Sequence, residues 1–360
     1  MINKLYHGYI LKRQWNNDIA SIKKQIKQAQ TATLPASQKR DAEAYYQKLI
    51  GRKIPTYWHE YLSARHEAFS VKFVPACVYH TMVIYRLNHY ALRHAYVDKG
   101  AYDIFFPDVN RPRTIVKKMN GYFYDNQNSI TEEEALERCK NLDSVVIKPT
   151  FGTWGGGVRM IAVNEGMVDE KTSVKSLFDS YKDYYIVQER VQQHEQMSQL
   201  NPTSLNTLRV MTYRDGNEVF VLYMVVRIGR MGECVDNETA GGIKADVDLS
   251  TGTILECAYG NYKEPKMYQT DSGAVLKGYQ IPAFEKVIAF VKQLHTRLPY
   301  FNLIGWDIAV DAAGEPILIE RNRCPDLSQV AHGPAFGEMT EEIFKRVMSL
   351  PDSRYFGFGS

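Results

Sequence analysis

Apolar positions recur along this chain with two periods. Ile19, Ile22 and Ile26 return at helical spacing, and Asp18 before them reads as the cap of that helix. Pro35 ends the region, and Ser37 opens a second helix toward Leu49. Pro55, Trp58, Tyr61 and Leu62 give a short packed helix, and a longer one rich in Tyr, Leu and Val starts at Pro75 and runs through Tyr96. Asp98-Lys99 then precedes an aromatic helix that ends near Phe106-Pro107. Beyond Pro112 the spacing becomes that of strands. Thr114-Ile115-Val116 opens one, Asn120-Gly121 is a two-residue hairpin signal, and Tyr122-Phe123-Tyr124 returns. Ser129-Ile130-Thr131-Glu132 reads as a capping box for a helix to about Leu142. Residues 144–149, 159–163, 184–191, 206–211 and 218–227 are further strands, with turns at Asp215-Gly216 and across 248–252. Pro282 opens an amphipathic helix to about Leu298, and a closing helix runs from about Met339 to Leu350. No internal repeat or low-complexity linker interrupts the series.

The pair of apolar runs at 304–310 and 316–322 organises the candidate chemistry. Asp311-Ala312-Ala313-Gly314 between them is turn chemistry, so the runs pair as a hairpin. Asp307 sits inside the first run, while Glu320 and Asn322 end the second on one face. Carboxylates in an oily hairpin are costly unless paired or bound to a cation. A few hard oxygen ligands completed by phosphate oxygens describe a Mg²⁺–nucleotide site. The plainer reading is a buried acid paired with Arg209 or Arg323.

Lys148 closes its strand and leads into 150–158, which holds four glycines at Gly152, Gly155, Gly156 and Gly157. Glycines let several backbone N–H groups face one anion, and the lysine adds a point charge. Neither the Walker sequence nor the dinucleotide fingerprint is present, and a strand follows, so the loop reads as a flap over phosphates. The alternative is an idle hairpin tip. Trp154 at its centre is able to cap a closed pocket or merely pack on a neighbouring strand. The strand through Gln188, Glu189 and Val191 passes into an extended segment able to meet an adenine edge, with His194 or Glu195 reaching ribose hydroxyls. Arg209 lies inside an apolar strand, where a guanidinium is rare without an anion. The polar, Gly-rich stretch 237–244 is a candidate substrate loop.

Composition narrows the picture further. The 360 residues carry 44 basic and 41 acidic side chains, so charge balance gives no reason to invoke nucleic acid. Cys77, Cys139, Cys234, Cys257 and Cys324 are scattered and without CxxC spacing, as expected of free thiols in a reducing cytoplasm. The first residues lack the apolar core of a signal peptide, and the most apolar helical stretch, 74–85, is too short to span a bilayer. A soluble, cytoplasmic protein is therefore expected, although its basic, Tyr-rich surface is compatible with resting near a membrane. His80, His89 and His94 read as solvated or satisfied helix residues, not as metal ligands.

In order and spacing these parts resemble the ATP-grasp superfamily, the fold of D-alanine–D-alanine ligase. Asp98-Lys99 resembles the Asp-Lys that reaches the phosphates, and Val146-Ile147-Lys148-Pro149 the second phosphate lysine with its flap. Residues 187–191 are similar to the adenine hinge, and Asp307, Glu320 and Asn322 to the Asp…Glu-x-Asn magnesium signature. Gln193-His194, the run 202–209 and Gly305-Trp306-Asp307 resemble the subfamily associated with sugar transfer and surface polysaccharides. One departure is visible, since Asn322-Arg323-Cys324-Pro325-Asp326 stands where Asn-x-x-Pro-Gly is common.

The resemblance implies an α+β ATP-grasp fold. A helical part covers 1–98, a lid part with its lead-in helix 99–190, a C-terminal part with a larger, mixed sheet 191–350, and a tail 351–360. The lid carries a small antiparallel sheet over about 115–190. The usual N-terminal α/β lobe is replaced or truncated. The cofactors implied are ATP and Mg²⁺, and the activity is a carboxylate–amine ligase working through an acyl phosphate on a sugar acid or amino acid, alongside surface-polysaccharide enzymes. The alternatives are a kinase with the same nucleotide site and a non-catalytic nucleotide-binding subunit. Carried over residue by residue, Arg209 and Lys148 are catalytic. Lys99, Lys148, Gly155, Gly156, Gln188, Glu189, Val191, His194 and Glu195 hold the nucleotide. Asp307, Glu320 and Asn322 hold the metal, and Asn206, Gly241, Gly242 and Lys244 meet substrate.

Overall fold

The structure is a computed structural model of the chain. It describes residues 2–92, 95–151, 156–233, 236, 240–261, 264–322 and 324–352, with side chains from Gly8 onward except that of Ala95. Two antiparallel sheets of six strands each carry the molecule. The first has the order β3-β2-β1-β6-β4-β5 and is built from β1 (Thr114–Met119), β2 (Tyr122–Asp125), β3 (Asn128–Ile130), β4 (Leu142–Pro149), β5 (Arg159–Val163) and β6 (Tyr185–Glu189). The second has the order β10-β9-β8-β7-β11-β12, from β7 (Thr207–Asp215), β8 (Glu218–Ile228), β9 (Ile243–Val247), β10 (Ile254–Tyr259), β11 (Leu303–Val310) and β12 (Pro316–Asn322). Every pairing in the second sheet is antiparallel, so it is not mixed as the resemblance implied. It is larger through longer strands, not through more of them.

Local chemistry explains most of the first sheet. Asn120 and Gly121 both take positive φ, 52° and 84°, as a tight hairpin between right-twisted strands demands. The capping box lies two residues beyond the expected place. Thr131 caps the helix Glu132–Arg138, its hydroxyl accepting from the Glu134 N–H while Glu134 accepts from the Thr131 N–H. That helix stops before β4, not at Leu142. With Val174–Tyr181, which the sequence reading missed, it covers one sheet face and encloses Val116, Val145, Ile147, Phe178 and Val187.

The N-terminal helices are α1 (Ile2–Ala29), α2 (Ala36–Ile50) and α3 (Tyr57–His66). Asp18 lies inside α1 instead of capping it, because the helix continues back through Trp15 and Leu11. The helix expected from Pro75 to Tyr96 ends at Leu87 and contains a π-helical turn, Tyr79–Val83. These helices form no separate core. Ile22, Tyr46, Trp58 and Tyr79 share one with Met211, Tyr213, Tyr223 and Val225 of the second sheet and with Phe344 of the closing helix. The opposite face of that sheet packs on the helix Phe284–Thr296, with Trp306 fully buried there. Cys77, Cys139, Cys257 and Cys324 are free thiols, Cys324 alone exposed; Cys234 lies outside the described residues. Among the described residues no helix is long and apolar enough to cross a membrane.

Candidate functional site

A single cavity of about 880 Å³ receives side chains from both sheets and from the N-terminal helices. Strand alternation aims them. On β4, Val145 and Ile147 face the lid core while Val146 and Lys148 line the cavity. On β7, Leu208 and Val210 enter the core on one face while Thr207 and Arg209 line the cavity on the other. On β12, Glu320 and Asn322 line the cavity, and Arg321 between them is buried behind, its guanidinium 4.6 Å from the centre of the Phe301 ring.

Asp307 and Glu320 are register partners across the β11–β12 hairpin, so their carboxylates share a face. Asp307 is 4% exposed and fully engaged. Its Oδ1 accepts from Arg209 Nε at 2.5 Å and its Oδ2 from Arg209 Nη2 and Arg227 Nη1, each at 3.0 Å. Asn322 Nδ2 donates to the same Oδ2 at 3.2 Å, which leaves the amide carbonyl oxygen available. Burial pushes the Asp307 carboxyl up, but Arg209 and then Arg227 outweigh it and bring it down to about 2. Arg227 also meets Asp236 at 3.1 Å, and Asp236 accepts from the Thr207 N–H at 3.0 Å and from its hydroxyl. The plainer reading of Asp307 is thus realised with Arg209, joined by Arg227; Arg323 lies outside the described residues.

Lys99 Nζ lies 3.1 Å from Glu320 Oε1. Burial, and then the neighbouring Lys99 charge, pull the Lys148 ammonium down to about 8. Two lysines held close in a recess create a field that favours an anion. Lys244 pairs with Asp326 at 3.0 Å on the opposite wall. Asp326 lines the cavity with its carboxylate open to solvent, and the surrounding walls push its carboxyl up. Lys244 and then Arg209 overcome this and hold it well below the usual carboxylate range.

The Lys99 segment is fixed from beneath. The Asp98 side chain caps the turn by accepting from the Gly100 N–H at 2.9 Å, and the Lys99 N–H donates to the Thr150 carbonyl at 3.2 Å. The buried Lys117 ammonium donates to the Gly100 carbonyl at 2.6 Å and to both Asp103 oxygens at 2.8 and 2.9 Å. Gly100 allows this approach, since a Cβ there would lie 2.7 Å from the Met119 sulfur.

Of the residues singled out from sequence, Lys99, Lys148, Gly156, Gln188, Glu189, Val191, Arg209, Lys244, Asp307, Glu320 and Asn322 all line this cavity. Gln188 is buried and donates to the Pro112 carbonyl at 3.2 Å, while Glu189 pairs with Arg113. The glycine flap ends at Gly157, whose φ is 75° and whose carbonyl accepts from Tyr181 at 2.7 Å. Gly152, Thr153, Trp154 and Gly155, on which the flap and capping expectations fall, lie outside the described residues, as do Asn237 to Thr239 of the substrate loop.

Four expected contacts are not brought to the cavity, and Glu195 makes a fifth. His194 is spent as a helix cap, its Nδ1 accepting from the Gln196 N–H at 3.2 Å, and Glu195 borders a separate shallow depression. Asn206 is fully buried, its amide donating to the Met197 and Asn201 carbonyls at 2.7 and 2.8 Å. Gly241 and Gly242 stand before β9, away from the lining.

Sequence reasoning missed Arg227, Asp236 and the helical wall. Arg227 sits in an apolar strand as Arg209 does, so the same criterion finds it. Asp236 lies in a polar loop and carries no such signal. The wall comprises Asp18, Ser21, Ile22 and Gln25 of α1, Trp58, Tyr61 and Leu62 of α3, and Tyr79 and His80 of the π turn. Tyr79 donates to the Pro325 carbonyl at 2.9 Å, and His80 Nδ1 lies 3.2 Å from both Asp18 oxygens.

The donor set suits Mg²⁺ held largely by phosphate oxygens. It offers two carboxylates and one amide carbonyl, and among the described residues no three His, Cys, Asp or Glu side chains form a cage. Two antiparallel sheets that present lysines from one side and an acid–acid–amide set from the other define an ATP-grasp protein. The sequence model of the sugar-transfer associated ATP-grasp family matches residues 108–345, and the chain belongs to that family.

Solved structures similar to it include the VanG D-Ala:D-Ser ligase from Enterococcus faecalis, at 13% identity and a TM-score of 0.43, covering 73% of this chain and 64% of that one. The D-alanine–D-alanine ligase from Bacillus anthracis complexed with ATP is 13% identical with a TM-score of 0.41, over 73% and 67% of the two chains. Biotin carboxylase from Campylobacter jejuni is 12% identical with a TM-score of 0.43, over 74% and 50%. The chain thus spans under two thirds of the VanG ligase. Among curated proteins no sequence matches.

Proposed function

We propose that the chain is an ATP- and Mg²⁺-dependent carboxylate–amine ligase that forms an amide through an acyl phosphate, on a sugar acid or amino acid of surface polysaccharide synthesis in the cytoplasm. One observation carries the reading: the lysine pair and the Asp307–Glu320–Asn322 face share a cavity that continues to a second, helix-lined end. A ligase needs both ends, one for the nucleotide and one for the acceptor.

In this reading Gln188, Glu189 and Val191 meet the adenine, and Lys99, Lys148 and Gly156 meet the phosphates. Asp307, Glu320 and Asn322 would hold Mg²⁺, which would offset phosphate charge when bound. The carboxylate attacks the γ-phosphorus, ADP leaves, and Lys148 balances charge moving toward the leaving oxygen. Arg209 and Arg227, which pair with Asp307 at the same wall, stabilise the transferring phosphoryl group and then the tetrahedral oxyanion. The amine enters from the helical wall, where His80 held by Asp18 accepts its proton, and phosphate departs. Lys244 and Asp326 orient the acceptor. The flap keeps water from the acyl phosphate until the amine arrives.

The test is a panel of sugar acids and amino acids with ATP, Mg²⁺ and hydroxylamine. ADP release coupled to hydroxamate from at least one carboxylate is expected. A stable phosphate ester formed with no hydroxamate from any productive substrate refutes the ligase reading.

A further inference from the structure

Charge is unevenly divided along the chain. The first 53 residues hold 11 of the 44 basic and 3 of the 41 acidic side chains, leaving 33 and 38 for the rest. At 100° per residue, α1 gathers its share on one side. Trp15, Ile19, Ile22, Ile26 and Ala29 face the shared core. Lys12, Arg13, Lys23, Lys24 and Lys27 are all exposed on an arc of about 120° that begins beside Ile19 and faces away from Asp18, Ser21 and Gln25, along about 22 Å of helix. The one acid of α1, Asp18, faces inward to His80. Lys23 also lies over the Tyr57 ring, at 4.7 Å. Among the described residues Lys12, Arg13, Lys24 and Lys27 make no ion pair. Tyr9, one turn before Lys12 on the same arc, is 65% exposed, and the adjoining Ile10 is 39% exposed.

We infer that the outer face of α1 docks on an anionic lipid bilayer. A straight basic line with an exposed aromatic and an aliphatic residue at one end suits a headgroup plane, in which Tyr9 and Ile10 settle at the interface while the lysines meet lipid phosphates. A nucleic acid would use the charges and leave Ile10 without a partner. The rest of the chain carries 33 basic and 38 acidic side chains, so its net charge gives an anionic surface no comparable attraction. The geometry has a functional consequence. The inner face of α1 lines the cavity through Asp18, Ser21, Ile22 and Gln25. Docking the outer face therefore brings the helical end of the cavity within about one helix diameter, roughly 10 Å, of the headgroups. The acceptor best placed to reach it is one carried at the membrane surface.

The test is sedimentation of the full chain with vesicles of phosphatidylcholine alone or mixed with phosphatidylglycerol. Binding to the mixed vesicles only is expected, and its loss as salt shortens the screening length from about 10 Å to a few Å. Each basic residue near such a surface is worth about fivefold in partition. Replacing Lys12, Arg13, Lys24 and Lys27 together by Gln should therefore cost 100-fold or more, with helicity and nucleotide affinity unchanged. Replacing Lys171, Lys277, Lys292 and Lys345 by Gln removes equal charge elsewhere and should cost under fivefold. Equal binding to both vesicle types, equal loss in the two quadruple variants, or displacement from vesicles by single-stranded RNA in preference to lipid overturns the inference.

Discussion

At the residue scale, the site is held together by charges that pair with one another across the cavity walls. Lys148 titrates near 8, whereas an unfolded lysine titrates near 10.4. Between those values the unfolded chain binds a proton that the folded chain lacks, so stability rises with pH across the window, and below it the charged lysine is a cost to the fold. Lys148→Met is therefore expected to leave the unliganded protein at least as stable at pH 7 and to flatten the rise between pH 8 and 10. ATP affinity should fall about tenfold or more, the scale of a lost charge-assisted bond. A lower unliganded melting temperature with unchanged ATP affinity makes Lys148 a structural strand-end residue instead. Asp307 is engaged by two arginines, so Mg²⁺ should not bind measurably to the protein without nucleotide, and Glu320→Gln should raise the Mg²⁺ concentration needed for turnover severalfold. Calorimetry that finds Mg²⁺ bound tightly to the nucleotide-free protein contradicts this arrangement. Asp307, Glu320 and Arg209 were legible because a charge in an apolar strand demands a partner. Arg227 as a second partner was legible by the same rule and passed over. Asn206 misled because a buried amide and a substrate-binding amide look alike in sequence.

At the element scale, strands and tight turns were easier to read than helix ends. Asn120-Gly121 fixes its hairpin because both residues accept positive φ. The capping box was displaced because Ser129 and Thr131 both offer a hydroxyl, and only the β2–β3 pairing decides between them. Asp18 looked like a cap because the residues before it are mixed in polarity, yet Trp15 packs on the same core and carries the helix through. The lead-in to Lys99 depends on partners distant in sequence, so it was invisible beforehand. Lys117→Met strands the Asp103 carboxylate in a buried site and should cost about 3–5 kcal/mol. Gly100→Ala forces a bulge against Met119 and should cost about 1–3 kcal/mol, with a drop in ATP affinity that follows Lys99. Unfolding curves for both variants with ATP titrations beside them check this. Full stability in Lys117→Met means that Asp103 finds another partner.

At the scale of the whole molecule, the helical N-terminus is part of the same packed core as the second sheet and not an appendage. It was read from sequence as a separate stretch, 1–98, because no local signal shows that Tyr46, Trp58 and Tyr79 meet Met211 and Tyr223. The family match begins at 108, yet a chain cut there removes the N-terminal helices from that sheet face and leaves on it only the segments from Leu327 onward. Such a truncation is expected to aggregate or unfold without a cooperative transition, as judged by thermal denaturation. A soluble, cooperatively folding 108–360 fragment means that the shared core is dispensable. The same wall lines the helical end of the cavity, so under the proposed ligase reading the amide-forming step depends on both parts of the chain. That step has a direct signature. A carboxylate activated as an acyl phosphate gives one of its oxygens to the phosphate released when the amine attacks. With a productive carboxylate labelled in ¹⁸O, the inorganic phosphate formed during amide synthesis should carry one labelled oxygen by mass spectrometry. Unlabelled phosphate, with the label retained in the carboxyl group, contradicts activation in this cavity.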